Sequence, residues 1–219
     1  IIILNSYNKL FFRRKFMIGI IDLDTGNIAS LISGFNKINS KFRICKNPED
    51  LEGVSKIVLP GVAAFKDYHD KIIKKNFDKI ISEKYSKNYP ILGICSGFQV
   101  LFTESSEHGF SKGLSFLKGK FKSFNEVDKK IRVPHVGWNS CKIVKDIKIF
   151  DKIENNSDFY FTHSYYLYEE EEKIKVSVSK YDQQFFTSCI NWQNLYGVQF
   201  HPEKSQLNGL QVLKNFSDL

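Results

Sequence analysis

The sequence has no Cys-x-x-Cys pair, and Cys45, Cys95, Cys141 and Cys189 stand far apart with no histidine at metal-ligand spacing. Zinc sites need clustered thiolates or imidazoles, so no structural metal is expected. Nothing suggests a small secreted disulfide scaffold either, and reduced thiols in a cytoplasmic protein are the expectation. No apolar run approaches the eighteen or so residues of a helical membrane span. No unit of about 20 to 50 residues recurs, which excludes a solenoid. Acids are missing from the first sixteen residues, where Lys9, Arg13, Arg14 and Lys15 supply half of the net charge of +8. Elsewhere lysines alternate with acids, the pattern of a solvated face and not of a basic, aromatic-interleaved nucleic-acid stripe. There is one methionine, at position 17. Residues 1–16 read either as a targeting segment or as an extension ahead of the real start; the second is preferred, because the first convincing strand begins at Met17.

What is present is an ordinary folded composition, 42% hydrophobic and 15% aromatic over 219 residues, long enough for one sizeable core. Residues 17–22 read as a buried strand and 28–38 as a helix with Leu31, Phe35 and Ile38 on one face. Short strands follow at 42–45 and 56–59, then two helices within 67–87 and a strand at 91. This alternation predicts an α/β fold with a mostly parallel central sheet flanked by helices. After Thr103 the texture becomes β-rich, and 173–179, 185–190 and 195–200 read as antiparallel strands with hairpins. The acids at 169–172 read as a solvated loop. A last helix over 206–216, capped by Ser205, presents Leu207, Leu210 and Leu213, less regularly Val212 and Phe216.

The chain is organised around Gly93-Ile94-Cys95-Ser96-Gly97-Phe98-Gln99. An apolar strand that ends in Gly-x-Cys-x-Gly and turns into an apolar helical pattern is a nucleophile elbow with sulfur in place of oxygen. A helix start behind Cys95 favours thiolate, and the Ser96 N–H faces the oxyanion that attack creates. The same residues alone also describe a small buried cysteine between packing glycines. A cysteine nucleophile needs a base and a group that orients it. Among His69, His108, His135, His163 and His201, only His201 follows a strong apolar strand and has a carboxylate two residues on, Glu203, across the stiff Pro202.

Together, Gly-x-Cys-x-Gly-x-Gln and His-Pro-Glu resemble the class I glutamine amidotransferases, whose Cys, His and Glu release ammonia from glutamine. The segments 59–65 (LPGVAAF), 133–139 (VPHVGWN), 160–166 (YFTHSYY) and 197–205 (GVQFHPEKS) resemble the branch that serves as glutaminase subunit of imidazole glycerol phosphate synthase. That likeness runs from Met17 to the C-terminus, so 17–219 is taken as one amidotransferase domain. It implies a flavodoxin-like sheet with an added antiparallel portion and a catalytic Cys95, His201 and Glu203. It further implies oxyanion donors at Val62, Ala63 and Ser96, and glutamine contacts from Gln99, Ser164 and Tyr165. No cofactor is implied. The implied partner is a (β/α)8-barrel cyclase subunit met near Trp138, Asn139 and Lys204. His135 and His163 are given no catalytic role. The chain departs from the family at Leu23-Asp24, at Ala63 where glycine is usual, and at Ser96 and Phe98. Three alternatives stay open: an intracellular cysteine peptidase, disfavoured because Ser96 stands where a histidine is usual; a non-catalytic docking subunit; and a paralogue that feeds ammonia to sugar amidation.

Overall fold

The computed structural model describes residues 17–26 and 28–219, so the expectation for residues 1–16 lies outside the described residues. Its centre is built from short apolar strands whose successive side chains point to opposite faces. β1 (Ile18–Ile21) sends Ile18 and Ile20 into one core and Ile21 into a second. In β3 (Lys56–Gly61), Val58 joins the first core and Ile57 and Leu59 the second; in β4 (Ile91–Cys95), Leu92 and Ile94 join the first and Ile91 the second. A strand buried on both faces cannot alternate apolar with polar, which is why these segments read as unbroken apolar runs.

With α1 (Ile28–Lys37), β2 (Phe42–Cys45), α2 (Phe65–Lys74) and α3 (Phe77–Ser86), these strands form the layered half of the fold. After β4 come a one-turn helix, α4 (Ser96–Gln99), then β5 (Phe102–Ser105), β6 (Ser111–Lys112), β7 (Leu117–Ser123) and α5 (Phe124–Val127). The chain ends with β8 (His135–Ile143), β9 (Ser157–His163), β10 (Tyr165–Glu170), β11 (Lys175–Tyr181), β12 (Gln184–Trp192), β13 (Leu195–Val198) and α6 (Gln206–Asp218). One sheet runs β2-β1-β3-β4-β13-β12-β11-β8-β9, and a smaller one β10-β7-β5-β6. From β2 to β13 every pairing is parallel, and from β13 to β9 every pairing is antiparallel. The expected parallel core and antiparallel C-terminal portion are thus one continuous mixed sheet.

Several expectations need correction. The helical pattern after Cys95 is only one turn long, because Phe98, Val100, Leu101 and Phe102 are all buried and an unbroken apolar run carries no period. β13, read as antiparallel, is so only towards β12; its other edge pairs in parallel with β4. Ser205 does not cap α6 through its side chain: its hydroxyl donates to the His201 carbonyl at 2.6 Å and accepts the Tyr160 N–H at 2.9 Å. The buried face of α6 is Gly209, Val212, Leu213 and Phe216, while Leu207 is 81% exposed. The acidic run is also not wholly solvated, since the side chain of Glu170 is only 6% exposed, accepts from Thr187 and pairs with Lys175 at 3.4 Å. Among the described residues no helix is long and apolar enough to cross a membrane.

Candidate active site

Cys95 ends β4 with φ +52° and ψ −109°, a left-handed backbone that an L-residue holds only under constraint. Two glycines supply it. A Cβ on Gly97 would lie 1.7 Å from the Leu59 carbonyl oxygen, and one on Gly93 would lie 2.5 Å from the Gly97 carbonyl oxygen. The chain therefore turns tightly against β3, and Cys95 projects from the carboxyl end of the parallel strands, where ligands collect in open α/β sheets. With α4 only one turn long, the expected pull of a helix macrodipole reduces to its first N–H groups; the Ser96 N–H has no intrahelical acceptor.

The neighbouring strand delivers the base. Because β13 pairs in parallel with β4, with Gly197 opposite Gly93 and Val198 opposite Ile94, the chain beyond Val198 runs alongside the elbow. Gly197, Gln199 and His201 alternate onto one side. A Cβ on Gly197 would lie 2.3 Å from the Phe98 ring, so this glycine makes room for the unusual Phe98, which packs edge-on against Phe102 and Phe121. Next along, the Gln199 amide accepts from Gln99 Nε2 at 3.1 Å and donates to Cys95 Sγ at 3.8 Å. His201 follows, with Nδ1 donating to Glu203 Oε1 at 2.7 Å. That bond leaves Nε2 as the free end of the ring, buried and without a hydrogen-bond partner.

Burial works to lower the pKa of His201, but the adjacent Cys95 sulfur and the Glu203 carboxylate outweigh it and raise it to about 10. The raised pKa favours an imidazolium beside the sulfur. The Cys95 Sγ–H donates to the Thr162 carbonyl at 3.8 Å in the thiol form. The other three thiols are free and buried. Burial pushes Cys45 and Cys141 up to about 11 and Cys189 well above its ordinary value, which marks them as inert packing groups.

Cys95 opens into a pocket of about 240 Å³ lined by residues 62–64, Ser96, Gln99, Glu107, Pro134 and residues 162–165. Gln99, Ser164 and Tyr165 thus line the pocket into which Cys95 opens. Glu107 carries no motif that singles it out in the sequence: its carboxylate accepts the Phe65 N–H at 2.7 Å and brings a negative charge to the pocket wall. It lies in a loop with no spacing to give it away. Gln199 sits within a family motif but without a role assigned from the sequence; its signal is the period-two alternation with His201.

The loop over the pocket is pinned at three points. The Tyr68 hydroxyl donates to the Pro60 carbonyl at 2.9 Å, the Val62 N–H donates to the Thr25 carbonyl at 3.3 Å, and the Ser96 hydroxyl donates to the Ala63 carbonyl. The Val62 N–H is therefore engaged elsewhere and does not face Cys95 as an oxyanion donor. Two of the chain's unusual residues, Ser96 and Ala63, are partners in one of these bonds. A small cavity lined by Thr25, Gly26, Pro60, Val62, His201 and Glu203 lies behind the loop.

The residues expected at an interface divide. Trp138 is 48% exposed and packs edge-on against Tyr160, and the Lys204 ammonium lies 5.6 Å from that same ring. Asn139, by alternation, points inward, donating to the Lys180 carbonyl at 2.8 Å and contacting His135 at 3.3 Å.

A model of the class-I glutamine amidotransferase family matches residues 19–218. The chain is 42% identical over 205 residues to the imidazole glycerol phosphate synthase subunit HisH of Methanocaldococcus jannaschii, covering 93% of this chain and 100% of that protein. It is 37% identical over 206 residues to the subunit of the same name from Leptospira borgpetersenii, with the same coverage. Among solved structures, its fold is shared with a glutamine amidotransferase of Thermotoga maritima (TM-score 0.63, 19% identity, 86% of this chain and 76% of that one). It is also shared with PurLQS of the same organism (TM-score 0.72, 15% identity, 93% of this chain and 98% of that one).

Proposed function

This chain belongs to the class I glutamine amidotransferase family, and from that premise we propose that it is the glutaminase subunit of an imidazole glycerol phosphate synthase, acting in histidine biosynthesis. The observation that carries the reading is that the Cys95 sulfur, on a strained elbow, lies beside a buried His201 whose Nδ1 donates to Glu203.

The thiolate of Cys95 attacks the carboxamide carbon of glutamine. The proton on His201 Nε2 goes to the departing nitrogen, ammonia leaves, and a glutamyl thioester remains. The neutral imidazole then takes a proton from water, whose attack on the thioester expels the Cys95 thiolate and forms the new carboxyl of glutamate, which gives up its proton to solvent. Glu203 keeps the ring oriented and stabilises its cationic form. The Ser96 N–H stabilises the oxyanion. A second donor from the 62–63 loop becomes available once the bond from the Val62 N–H to the Thr25 carbonyl breaks. Gln99 and the Ser164–Tyr165 segment hold the substrate, and the Glu107 carboxylate suits its α-ammonium.

Ammonia set free in water at neutral pH becomes ammonium, which is not a nucleophile, so the product has to pass to an acceptor site under cover. The relatives named above are subunits. The partner proposed for this chain is a (β/α)8-barrel cyclase, and the patch of exposed Trp138 and Lys204 around the half-buried Tyr160 suits that contact. Residues 17–219 act as one amidotransferase domain, in the cytoplasm.

The test uses the chain together with its cyclase. Cys95→Ala should abolish glutamine-dependent synthesis and leave synthesis from added ammonium salts intact. Unchanged glutamine-dependent synthesis would reject the glutaminase role and leave a docking subunit. Peptide cleavage without glutamate release from glutamine would point to a peptidase instead.

A further inference from the structure

Two buried imidazoles are used by no step of that chemistry. His135 on β8 and His163 on β9 are paired across the antiparallel ladder, and both are almost fully buried. Nδ1 of His135 lies 3.0 Å from Nε2 of His163, and Nδ1 of His163 lies 2.8 Å from the Tyr165 carbonyl oxygen. At the other end, Nε2 of His135 lies 3.3 Å from Asn139 Nδ2, which also donates to the Lys180 carbonyl.

The direction of every link follows from the two ends. A carbonyl oxygen only accepts, so His163 carries its proton on Nδ1 and its Nε2 accepts. His135 must then donate from Nδ1, which leaves its Nε2 to accept from Asn139. Turning the Asn139 amide around would set its oxygen against the Lys180 carbonyl. Each ring therefore has one permitted tautomer, and an extra proton on either would bring two donors face to face. The surroundings agree: His135 is stacked on Tyr181 at 4.2 Å and on Phe161 at 5.1 Å. Burial lowers the pKa of His135 to about 4, and burial with His135 alongside lowers that of His163 to about 3.

The chain of bonds does not stop at the carbonyl. The Tyr165 oxygen also accepts from Gln99 Nε2 at 3.3 Å, Gln99 donates to Gln199, and Gln199 donates to Cys95 Sγ. We propose that His135 and His163, with Asn139 behind them, are positioning residues: a hydrogen-bond relay of fixed direction that holds the Tyr165 carbonyl and, through Gln99, the shape of the glutamine pocket. The proposal rests on the glutaminase reading for what the pocket binds, but not for the state of the two rings.

The test has a spectroscopic arm and a kinetic arm, both on the full chain. With histidine labelled in ¹⁵N, long-range proton–nitrogen correlations at pH 7 should show a protonated Nδ1 and a bare Nε2 on both His135 and His163. A protonated Nε2 on either ring overturns the proposal, with no variant needed. Asparagine places an amide donor where the Nδ1 of histidine stands, and leucine does not. Assayed with the cyclase, His135→Leu should raise the KM for glutamine at least about fivefold with kcat within about twofold, and His163 should lose its single tautomer. His135→Asn should keep the His163 tautomer and bring KM back to within about twofold of the parent. Equal KM values for the two variants would show that only packing matters and would overturn the relay. A parent that does not hydrolyse glutamine would sink the glutaminase reading while leaving the spectroscopic result standing.

Discussion

Glu107 is the residue whose charge most directly tests how the pocket selects its ligand. Its carboxylate sits on the wall of a pocket that, beside the reactive Cys95 and the His163 ring, offers amides, hydroxyls and carbonyls. Those neutral groups do not tell glutamine from a simple carboxamide; the α-ammonium is what a carboxylate recognises, and a charged hydrogen bond contributes roughly 1.5–3 kcal/mol. Glu107→Gln keeps an acceptor for the Phe65 N–H and removes only the charge. The KM for glutamine should rise on the order of tenfold or more, with kcat within about threefold, in steady-state glutaminase assays. A variant with unaltered KM would take Glu107 out of the binding site. At this scale legibility divides by chemistry. Cys95, His201 and Glu203 are readable because a strained nucleophile needs flanking glycines and a base needs a rigid carboxylate neighbour. Glu107 is not, because a residue that reaches a pocket from a loop leaves no period or spacing behind. Asn139 is placed near a partner by family resemblance alone, and its hydrogen bonds to the Lys180 carbonyl and His135 depend on a strand register that no local pattern shows.

At the scale of elements, the β8–β9 pair carries a liability that acid exposes. His135 and His163 are neutral in the fold, with pKa values lowered to about 4 and about 3, whereas an unfolded chain binds a proton at each near pH 6.5. The native state excludes protons that the unfolded state accepts, so their contribution is fully present above about pH 6.5 and is lost as pH falls towards about 4. Each histidine adds a slope of up to about 1.4 kcal/mol per pH unit across that window. Urea unfolding between pH 7 and 4.5 should show a falling free energy, and His135→Asn should flatten the fall by about one histidine's worth. Equal slopes in parent and variant would mean that the ring is already protonated or open to water. The helices and strands themselves are legible wherever one face is wet. α2 and α3 are readable as two helices within 67–87, whereas the segment after Cys95, buried on every side, gives no period to separate one helical turn from a longer helix.

Over the whole molecule the site exists only because distant stretches of chain converge. Cys95 ends the fourth parallel strand, and His201 leaves a strand that the chain inserts beside it after building a small mixed sheet and the antiparallel strands β8, β9, β11 and β12. Alternating strands and helices in the first half foretell the parallel order, because such crossovers are local and of one hand. The second half does not reveal that β5, β6, β7 and β10 leave to form a separate sheet, since strand pairing over long separations depends on which faces meet and not on any local pattern. The account stands on that convergence making one sulfur, and not the other three, reactive towards glutamine. The direct measurement is covalent capture: the full chain with its cyclase is treated with a glutamine analogue carrying a diazoketone in place of the carboxamide, then mapped by peptide mass spectrometry. A single adduct on Cys95, lost in His201→Ala and slowed by excess glutamine, is the predicted result. Adducts on Cys45, Cys141 or Cys189 to the same extent, or an unmodified Cys95, would contradict it.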